Sequence, residues 1–325
     1  MRLPSRAVGL LLGYTADRLL GDPRRLHPVA GFGLVAGRLE QRMYADRRRR
    51  GAAYTLTLVG GAALAGVPVE RARHRPLIHA LGTALATWAV LGGRSLDREA
   101  EAIRALLAAG DLTGARSRLP HLVGRDPRLL DELEIARAVV ESVAENTSDA
   151  VVAPLLWGAV AGVPGLLGYR AANTLDAMVG HRNARYRRFG WAAARLDDLL
   201  NLPAARLAGA LTAVVAPRRA GAVVRLWRRD AAGHPSPNAG VIEAAFAGAL
   251  DLTLGGTNVY GGRVEHRAPM GEGAAPTAED IRRSGRLAGR LGLAAAGVAV
   301  GVAVGAAALV ASRPVSHIAA GSPSK

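Results

Sequence analysis

Apolar residues are concentrated in stretches long enough to cross a lipid bilayer, which takes about 17–25 residues of α-helix. Residues 291–311 contain no charged side chain and form the clearest of these stretches. Residues 51–69 and 76–93 are also apolar, and the short polar link between them predicts a helical hairpin. Residues 7–20 are shorter and include two charged side chains, which indicates a tilted or partly buried helix.

A further apolar stretch, residues 150–169, is interrupted by the sequence Gly-Val-Pro-Gly at 162–165. Each half is too short to cross a bilayer alone, and irregular backbone at membrane depth persists only where protein covers it. We therefore predict a broken, membrane-buried hairpin whose two halves enter and return on the same side.

The segment 94–149 has the pattern of soluble amphipathic helices. Asp126 followed by Pro127 is typical of a helix N-terminus. Apolar residues then recur at three- and four-residue steps, which predicts one apolar stripe along a long helix. The stripe consists of Leu129, Leu133, Ala136, Val140 and Val143.

These patterns predict an all-α fold, because pairs of strands with hairpin turns are scarce. The chain is predicted to be a polytopic integral membrane protein that forms a single membrane-embedded unit. Its parts are N-terminal membrane helices (1–93), amphipathic cytoplasmic helices (94–149), the broken hairpin with polar motifs (150–262), a polar linker (263–290) and a C-terminal transmembrane helix (291–312).

The composition supports a membrane protein. Half of the residues are hydrophobic, but only 4% are aromatic and 40 are glycine. Small residues let helices approach each other closely inside a bilayer. Because the chain has no cysteine, disulfide, cysteine-zinc and thiol-nucleophile chemistry are excluded.

The formal net charge of +16 would ordinarily suggest nucleic-acid binding. All but one of the 42 basic residues are arginine, however, and they cluster beside apolar runs, as in the four consecutive arginines at 47–50. Such clusters are typical of the cytoplasmic flanks of membrane helices. We therefore expect a lipid bilayer around the chain and no nucleic-acid partner.

Three carboxylates, Glu141, Glu145 and Asp149, are spaced four residues apart and are expected on one face of a helix. Hard oxygen donors of this kind suit Mg²⁺. The spacing alone favours a solvated helix face, but Asp149 enters an apolar segment, where ionisable groups tend to be functional. We predict these three residues as metal ligands, and Asn146 between them as a substrate-binding residue.

Two further motifs follow the broken hairpin. Asn173 and Asp176 lie three residues apart in membrane-like surroundings, where they need each other, the backbone or a ligand as partners. We predict Asn173 as a substrate-binding residue. Asp197 and Asp198 are adjacent and do not share a helical face. One of them is therefore expected to pair with Arg195 while the other faces a metal or a substrate.

Another group of polar residues lies among glycines and turn residues. Glycines that flank polar groups let backbone N–H groups approach an anion, although turns alone also account for such runs. The chain has no P-loop and no strand-framed dinucleotide-binding motif. The candidate substrate-binding residues in this group are His234, Ser236, Asn238 and Asn258.

The reaction type does not follow from these patterns, but several blocks in order resemble one family. The opening segment DRLLGDPRRLHPVAGFG (17–33) is similar to that family's N-terminal signature. The other blocks are ESVAENTSDAVVAPL (141–155), NTLDAMVGHRN (173–183), FGWAAARLDDLLN (189–201), RDAAGHPSPNAGVIEAAFAGAL (229–250) and LGGTNVYGG (254–262). Together they resemble the adenosylcobinamide-phosphate synthase family of cobalamin biosynthesis (CobD/CbiB).

The resemblance implies an integral membrane ligase that joins a propionate carboxyl of adenosylcobyric acid to the amine of (R)-1-amino-2-propanol or its O-phosphate. It implies ATP as co-substrate, Mg²⁺ as cofactor, and a multi-pass position in the cell membrane with the active site facing the cytoplasm. Contact with other late enzymes of the pathway is a further expectation. The predicted catalytic residues are Asp176, Asp197, Asp198 and Arg195, with Asp176 or Asp198 accepting the proton of the amine.

Two other classes of protein remain open. A membrane prenyl- or phosphatidyl-type transferase also places Asp and Asn beside bilayer helices to hold Mg-diphosphate. Asp197 and Asp198 form half of such a signature, but the second Asp-rich motif is missing. A transporter or a non-catalytic scaffold for corrinoid enzymes is the third class, and it differs from a ligase in forming no ADP when both substrates are present.

Overall fold

The computed structural model describes residues 3–22, 27–181, 183–260 and 263–312. Helices predominate, and one pair of strands precedes the last helix. The elements are α1 (Ser5–Leu20), α2 (Pro28–Met43), α3 (Arg48–Arg71), α4 (Pro76–Val90), α5 (Gly93–Ala108), α6 (Leu112–Arg118), α7 (Glu132–Thr147), α8 (Ala153–Val179), α9 (Tyr186–Phe189), α10 (Trp191–Val215), α11 (Ala220–Asp230), α12 (Ala239–Leu250), β1 (Thr253–Tyr260), β2 (Arg263–Gly271) and α13 (Ala278–Ala311).

Five helical segments of the described chain are long and apolar enough to cross a membrane. Two of these segments each join two consecutive helices, α4 with α5 and α7 with α8. The predicted helical, polytopic membrane architecture is therefore confirmed. The five segments are Arg48–His74, Pro76–Ala108, Glu132–Val179, Trp191–Val215 and Ala278–Leu309.

The helices α1 and α4 pack closely because small residues face each other. Gly9 lies against Thr83, and one turn further along both helices Gly13 lies against Thr87. A Cβ atom on either glycine would overlap the threonine opposite, so glycine allows the close approach. The apolar segments 51–69 and 76–93 do follow each other through a tight turn, but α4 packs mainly along α1.

The predicted break in the apolar stretch 150–169 is confirmed. Gly162 lies inside α8 with φ 67° and ψ −151°, a conformation essentially restricted to glycine. Downstream of this turn, the Tyr169 hydroxyl lies 2.9 Å from the backbone carbonyl oxygen of Asp149. In a straight helix these two residues would be about 30 Å apart. The chain therefore folds back on itself, and the two halves form the expected hairpin.

Glu70 at the end of α3 holds the Gly162 turn in place. Its carboxylate accepts a hydrogen bond from the backbone N–H of Val163 (3.0 Å) and another from Arg6 (2.8 Å). Arg6 also donates to the backbone carbonyl oxygen of Ala159 (3.0 Å). The Glu70 and Arg6 side chains thus satisfy backbone groups that the broken helix leaves without helical partners.

We expect substitution of Glu70 by alanine to destabilise the protein by about 3 kcal/mol, because it leaves the largely buried Arg6 guanidinium without its carboxylate. Thermal unfolding in detergent would measure the loss. The control is Glu101→Ala, which removes an exposed ion pair with Arg104 and should cost less than about 1 kcal/mol. Equal melting temperatures for the two variants would contradict a structural role for Glu70.

Helix α7 differs from its prediction in both its start and its surroundings. It begins at Glu132 rather than after Asp126, since Asp131 caps it: the Asp131 side chain accepts from Glu134 N–H, and the Glu134 side chain accepts from Asp131 N–H. Leu129 lies before the helix and is 91% exposed, so the predicted stripe does not start there. Helices α5, α12 and α13 and strand β1 pack around α7 and bury most of it, so α7 lacks the broad solvated face expected of an amphipathic helix.

The strands β1 and β2 form an antiparallel hairpin that the all-α prediction missed. The predicted polar linker, 263–290, instead contains β2 and the beginning of α13. Alternation of apolar and polar residues is the usual sign of a strand. Here it is interrupted by a bulge, and Gly255 and Gly256 have positive φ angles. Leu254 and Met270 are buried and anchor the hairpin to the core.

The main core consists largely of alanine, valine and leucine side chains from α1, α5, α7, α8, α12 and α13. These small side chains bring the helices close together, in agreement with the low aromatic content. A second cluster around Tyr54 and Phe189 ties α3 to the segment between α8 and α10. This packing places parts of α7, α8, α10 and α12 around the same polar region.

Candidate active site

A polar cavity of about 500 Å³ lies between α7, α12, the loop before α7 and strand β2. The carboxylates and the guanidiniums come from parts of the chain that are distant in sequence. They give the cavity a lining of mixed charge, which suits an anionic ligand or a bound cation. The charged lining residues are Arg125, Glu141, Glu145, Glu243, Glu265 and Arg267, and His181 also lines the cavity.

Glu141 is held on several sides inside this lining. Its carboxylate lies 2.5 Å from the buried Arg125 guanidinium and 3.6 Å from that of Arg137. It also accepts a hydrogen bond from the backbone N–H of Gly255 (2.8 Å). These contacts join α7, the loop before it and β1. They occupy the carboxylate oxygens and do not support the predicted role of Glu141 as a metal ligand.

Glu145 and Asp149 continue the carboxylate row. Glu145 is exposed to the cavity, whereas Asp149 lies in a single π-helical turn, Ser148–Val152. Because α8 folds back, Asp176 comes within electrostatic range of both carboxylates. Among the described residues, no hydrogen bond or ion pair engages the carboxylates of these three residues. Glu145, Asp149 and Asp176 therefore lie in one neighbourhood.

Asp197 is buried and held by two asparagine side chains. Asn173 donates to one carboxylate oxygen (3.3 Å) and Asn201 to the other (3.0 Å). Asp198 faces a different way, with its carboxylate 4.0 Å from Arg195. Asp198 is thus the aspartate that pairs with Arg195, and the expectation that Asp197 faces a metal or a substrate stays a prediction. Arg195 itself is largely exposed, and its position does not support a catalytic role.

The remaining predicted residues have structural contacts. Asn146 donates to the backbone carbonyl oxygen of Ser142 (2.9 Å), and Ser236 accepts from backbone N–H groups at the start of α12. Asn238 is buried, accepts from Arg206 (2.7 Å) and donates to the backbone carbonyl oxygen of Asp198 (2.8 Å). Asn258 belongs to β1, but its side chain lies outside the described part of the structure.

Three arginines near the site, Arg125, Arg170 and Arg267, were not predicted from the sequence. Arg170 lies within electrostatic range of Asp149, and its Nη1 lies 3.5 Å from the Asn173 side-chain oxygen. An arginine inside an apolar segment is itself a signal of function and could have been recognised. Arg125 and Arg267 lie in a loop and in an unpredicted strand, so no sequence pattern marked them.

Comparison with known proteins agrees with this picture. The model of the family described as "CobD/Cbib protein" matches residues 10–288. The chain belongs to the CobD/Cbib family. A protein of Mycobacterium tuberculosis named "Cobalamin biosynthesis protein CobD" is 52% identical over 86% of this chain and 90% of its own length. Proteins of the same name from Chromobacterium violaceum and Rhodobacter capsulatus are 45% and 43% identical, covering 86% and 83% of this chain and 91% and 88% of their own lengths.

Membership of the CobD/Cbib family confirms the resemblance found in the sequence and assigns the chain to cobalamin biosynthesis. No solved structure matches the chain.

The resemblance to this family implies a bound Mg²⁺, for which the site offers several carboxylates. Glu145, Asp149 and Asp176 offer the hard oxygen donors that such an ion prefers, and they lie within electrostatic range of one another. Glu141 does not fit, because Arg125 and Gly255 already engage it. No group of three His, Cys, Asp or Glu in the described ranges has the arrangement of a metal site, so Mg²⁺ binding stays a prediction.

His234 and Glu243 form a buried pair beside the cavity, with His234 Nε2 3.6 Å from a Glu243 carboxylate oxygen. Burial raises the pKa of Glu243 well above its usual range, and the nearby Glu141 and Glu145 raise it further. Burial also lowers the pKa of His234, as does the charge of Arg267. Near neutral pH we therefore expect Glu243 to hold its proton and His234 to be uncharged.

We expect Glu243→Gln to make the melting temperature less dependent on pH. The folded protein retains the Glu243 proton, whereas the unfolded chain releases it above a pH of about 4.3. The stability from this group is thus complete below that pH and is lost as the pH rises towards the folded pKa. At pH 8 the variant should melt at least about 3 °C above the wild type. Glu265→Gln, at a half-exposed position, is the control, and parallel profiles for all three proteins would contradict the assignment.

Proposed function

We propose that the chain catalyses ATP-dependent amide formation between a propionate carboxyl of adenosylcobyric acid and (R)-1-amino-2-propanol or its O-phosphate. Family membership places the chain in cobalamin biosynthesis. The observation that supports the proposed reaction is a cavity in which carboxylates and guanidiniums from several helices face each other.

The proposed reaction has two steps. The substrate carboxylate attacks the γ-phosphorus of ATP and forms an acyl phosphate with release of ADP. The amine then attacks the acyl carbon, inorganic phosphate leaves, and the amine loses one proton. Bound Mg²⁺ would offset the negative charge of the phosphates.

The side chains of this chain have separate parts in the proposal. Arg125 and Arg267 line the cavity and would lie beside the transferred phosphoryl group, where fixed positive charge lowers the barrier. Asp176 is the preferred acceptor of the amine proton, because it is partly exposed and no hydrogen bond engages its carboxylate in the described chain. Asp197, fixed by two asparagines, would position the groups around it.

The volume of the cavity limits what enters it. Pockets of a few hundred cubic ångströms hold ligands of drug size, and a corrin ring with its side arms is much larger. We therefore propose that the macrocycle rests outside the cavity and that one propionate arm enters it together with the aminopropanol. Binding in one cavity would hold the propionate carboxyl and the amine of the aminopropanol close together.

The test of this proposal is direct. Purified protein in detergent is incubated with adenosylcobyric acid, aminopropanol O-phosphate and Mg-ATP, and the corrinoid is followed by mass spectrometry. We expect a product with the mass of the amide, and one ADP for each amide formed. Free aminopropanol in a parallel reaction shows which amine is preferred. Absence of both ADP and amide would favour a transporter or scaffold.

We further propose that the protein lies in the cell membrane with the site facing the cytoplasm, because arginines flank the polar motifs. The chain has no native cysteine, so single cysteines can report the topology. Cysteines at the exposed positions Leu129 and Ala184, on either side of the hairpin in sequence, should both react with an impermeant maleimide only from the cytoplasmic side. Labelling of one of them from outside intact cells would contradict the common site.

A further inference from the structure

A second cavity, of about 660 Å³, lies away from the candidate active site, between α5 and the first half of α13, beside the end of α1. We call it the arginine groove. Its lining brings together positive side chains from three helices. These side chains are Arg18, Arg94, Arg98, Arg282 and Arg286.

The positive charge of the arginine groove is only partly neutralised. Arg18 pairs with Asp97 (2.7 Å), and Arg282 pairs with Glu279. Within the part of the chain that the structure describes, no ion pair engages Arg94, Arg98 or Arg286. The Arg94 Nε atom is also buried without a hydrogen-bond partner. Asp97 and Glu101 also line the groove, but five guanidiniums outnumber these two carboxylates, and Arg94, Arg98 and Arg286 are in none of the ion pairs that the described residues form. A buried donor without an acceptor, such as Arg94 Nε, is unfavourable.

The groove lies where the polar and apolar parts of the helices meet. In α13, Arg286 precedes Leu291, the start of the uncharged stretch, by about 7.5 Å of helix. In α1, Arg18 is followed by Leu19 and Leu20, which are 72% and 63% exposed. Exposed leucines beside arginines indicate the depth of lipid headgroups.

The part of the lining between the guanidiniums is small and apolar, with Ala102, Ala105, Gly285 and Gly289. Beyond Gly289 the helix continues to Leu293, which is 65% exposed and belongs to the apolar span. A ligand that fits this arrangement has a phosphate at one end and a hydrocarbon part at the other. A nucleic-acid duplex is too large for the groove and does not match its apolar side.

We propose that the arginine groove binds the phosphate headgroup of an anionic phospholipid, with its acyl chains along the exposed face of α13. Uncompensated guanidiniums at headgroup depth attract anionic lipid, and a buried guanidinium N–H gains an acceptor from the phosphate. The bound lipid would link α5 to α13.

The experiment compares the purified full-length protein in phosphatidylcholine nanodiscs with and without phosphatidylglycerol, and counts retained lipid by native mass spectrometry. The variant Arg94→Gln/Arg98→Gln/Arg286→Gln should bind phosphatidylglycerol about 100-fold more weakly than the wild type. Arg47→Gln/Arg49→Gln/Arg50→Gln removes the same charge from exposed positions at the start of α3 and should lose only the general attraction to an anionic surface, far less than about 100-fold. Arg98→Gln alone, at an exposed position, preserves the fold and should bind about fivefold more weakly.

Several results would overturn the proposal. Equal loss in the control triple variant would show general attraction to an anionic surface. Unchanged binding in Arg98→Gln and in the groove triple variant would show that the groove takes no lipid. Displacement of phosphatidylglycerol by inorganic phosphate at equal concentration would show a site for free phosphate. Retention of phosphatidylglycerol by the wild type, without retention of phosphatidylcholine, is the supporting result.

Discussion

Substitution of Asp149 by asparagine is expected to lower the rate of amide formation by about 100- to 1000-fold and to leave the protein folded in the membrane. The Asp149 carboxylate lies close to Asp197, Glu145 and Asp176, and like charges at this distance repel each other. Such a cluster is unfavourable for folding unless a cation or substrate uses it. The melting temperature of the variant should therefore equal or exceed that of the wild type, as is common where stability is sacrificed for function.

The measurement combines two assays on the same preparation: amide product by mass spectrometry and thermal unfolding in detergent. The control is Asp46→Asn, which removes an exposed carboxylate near Arg188 and should change neither result. Loss of activity together with loss of stability would indicate that Asp149 is structural. A near-normal rate of amide formation would show that the essential carboxylate belongs to Glu145 or Asp176 and not to Asp149.

The features of the site that could be predicted are those set by spacing and by local breaks. The Gly-Val-Pro-Gly sequence predicted the turn at Gly162, and that turn is what brings Asp176 back towards Glu145 and Asp149. Adjacent residues of a helix point in different directions, and Asp197 and Asp198 do contact different side chains, Asn201 and Arg195. Hydropathy predicted the membrane-crossing segments that include α3, α4 and α13, but it did not predict Trp191–Val215, where Asp197, Asp198 and Asn201 interrupt the apolar pattern.

What the sequence could not show are contacts between distant segments. Glu141 has the spacing of a metal ligand, but its partner Gly255 is 114 residues away, and Arg125 lies in an irregular loop. The β-hairpin was missed because a bulge and two glycines interrupt its alternation, and Arg267 was missed with it. Helix α7 is buried by α5, α12 and α13, and the sequence of α7 alone does not show these neighbours. Its charged residues therefore suggested an exposed helix.

Replacement of Gly162 by alanine is expected to have the largest effect on the fold. The residue has φ 67° and ψ −151°, which costs a non-glycine residue about 1–3 kcal/mol. A Cβ atom there would also overlap the Glu70 carboxylate and displace it from the Val163 N–H and from Arg6. We expect a total loss of about 3–5 kcal/mol and, because the hairpin positions Asp149 against Asp176, the loss of amide formation. Gly301→Ala in α13, where a Cβ meets no other atom within 4 Å, should be neutral.

A double-mutant cycle with Glu70→Ala separates the backbone strain at residue 162 from the displacement of the Glu70 carboxylate. If displacement of the carboxylate dominates, Gly162→Ala should cost at least about 1 kcal/mol less in the Glu70→Ala background than in the wild type, because the clash is already removed. The cost that remains is then the backbone strain of a left-handed alanine. Additive costs would show that Glu70 and the turn are independent, and the hairpin would have to be held by helix packing alone.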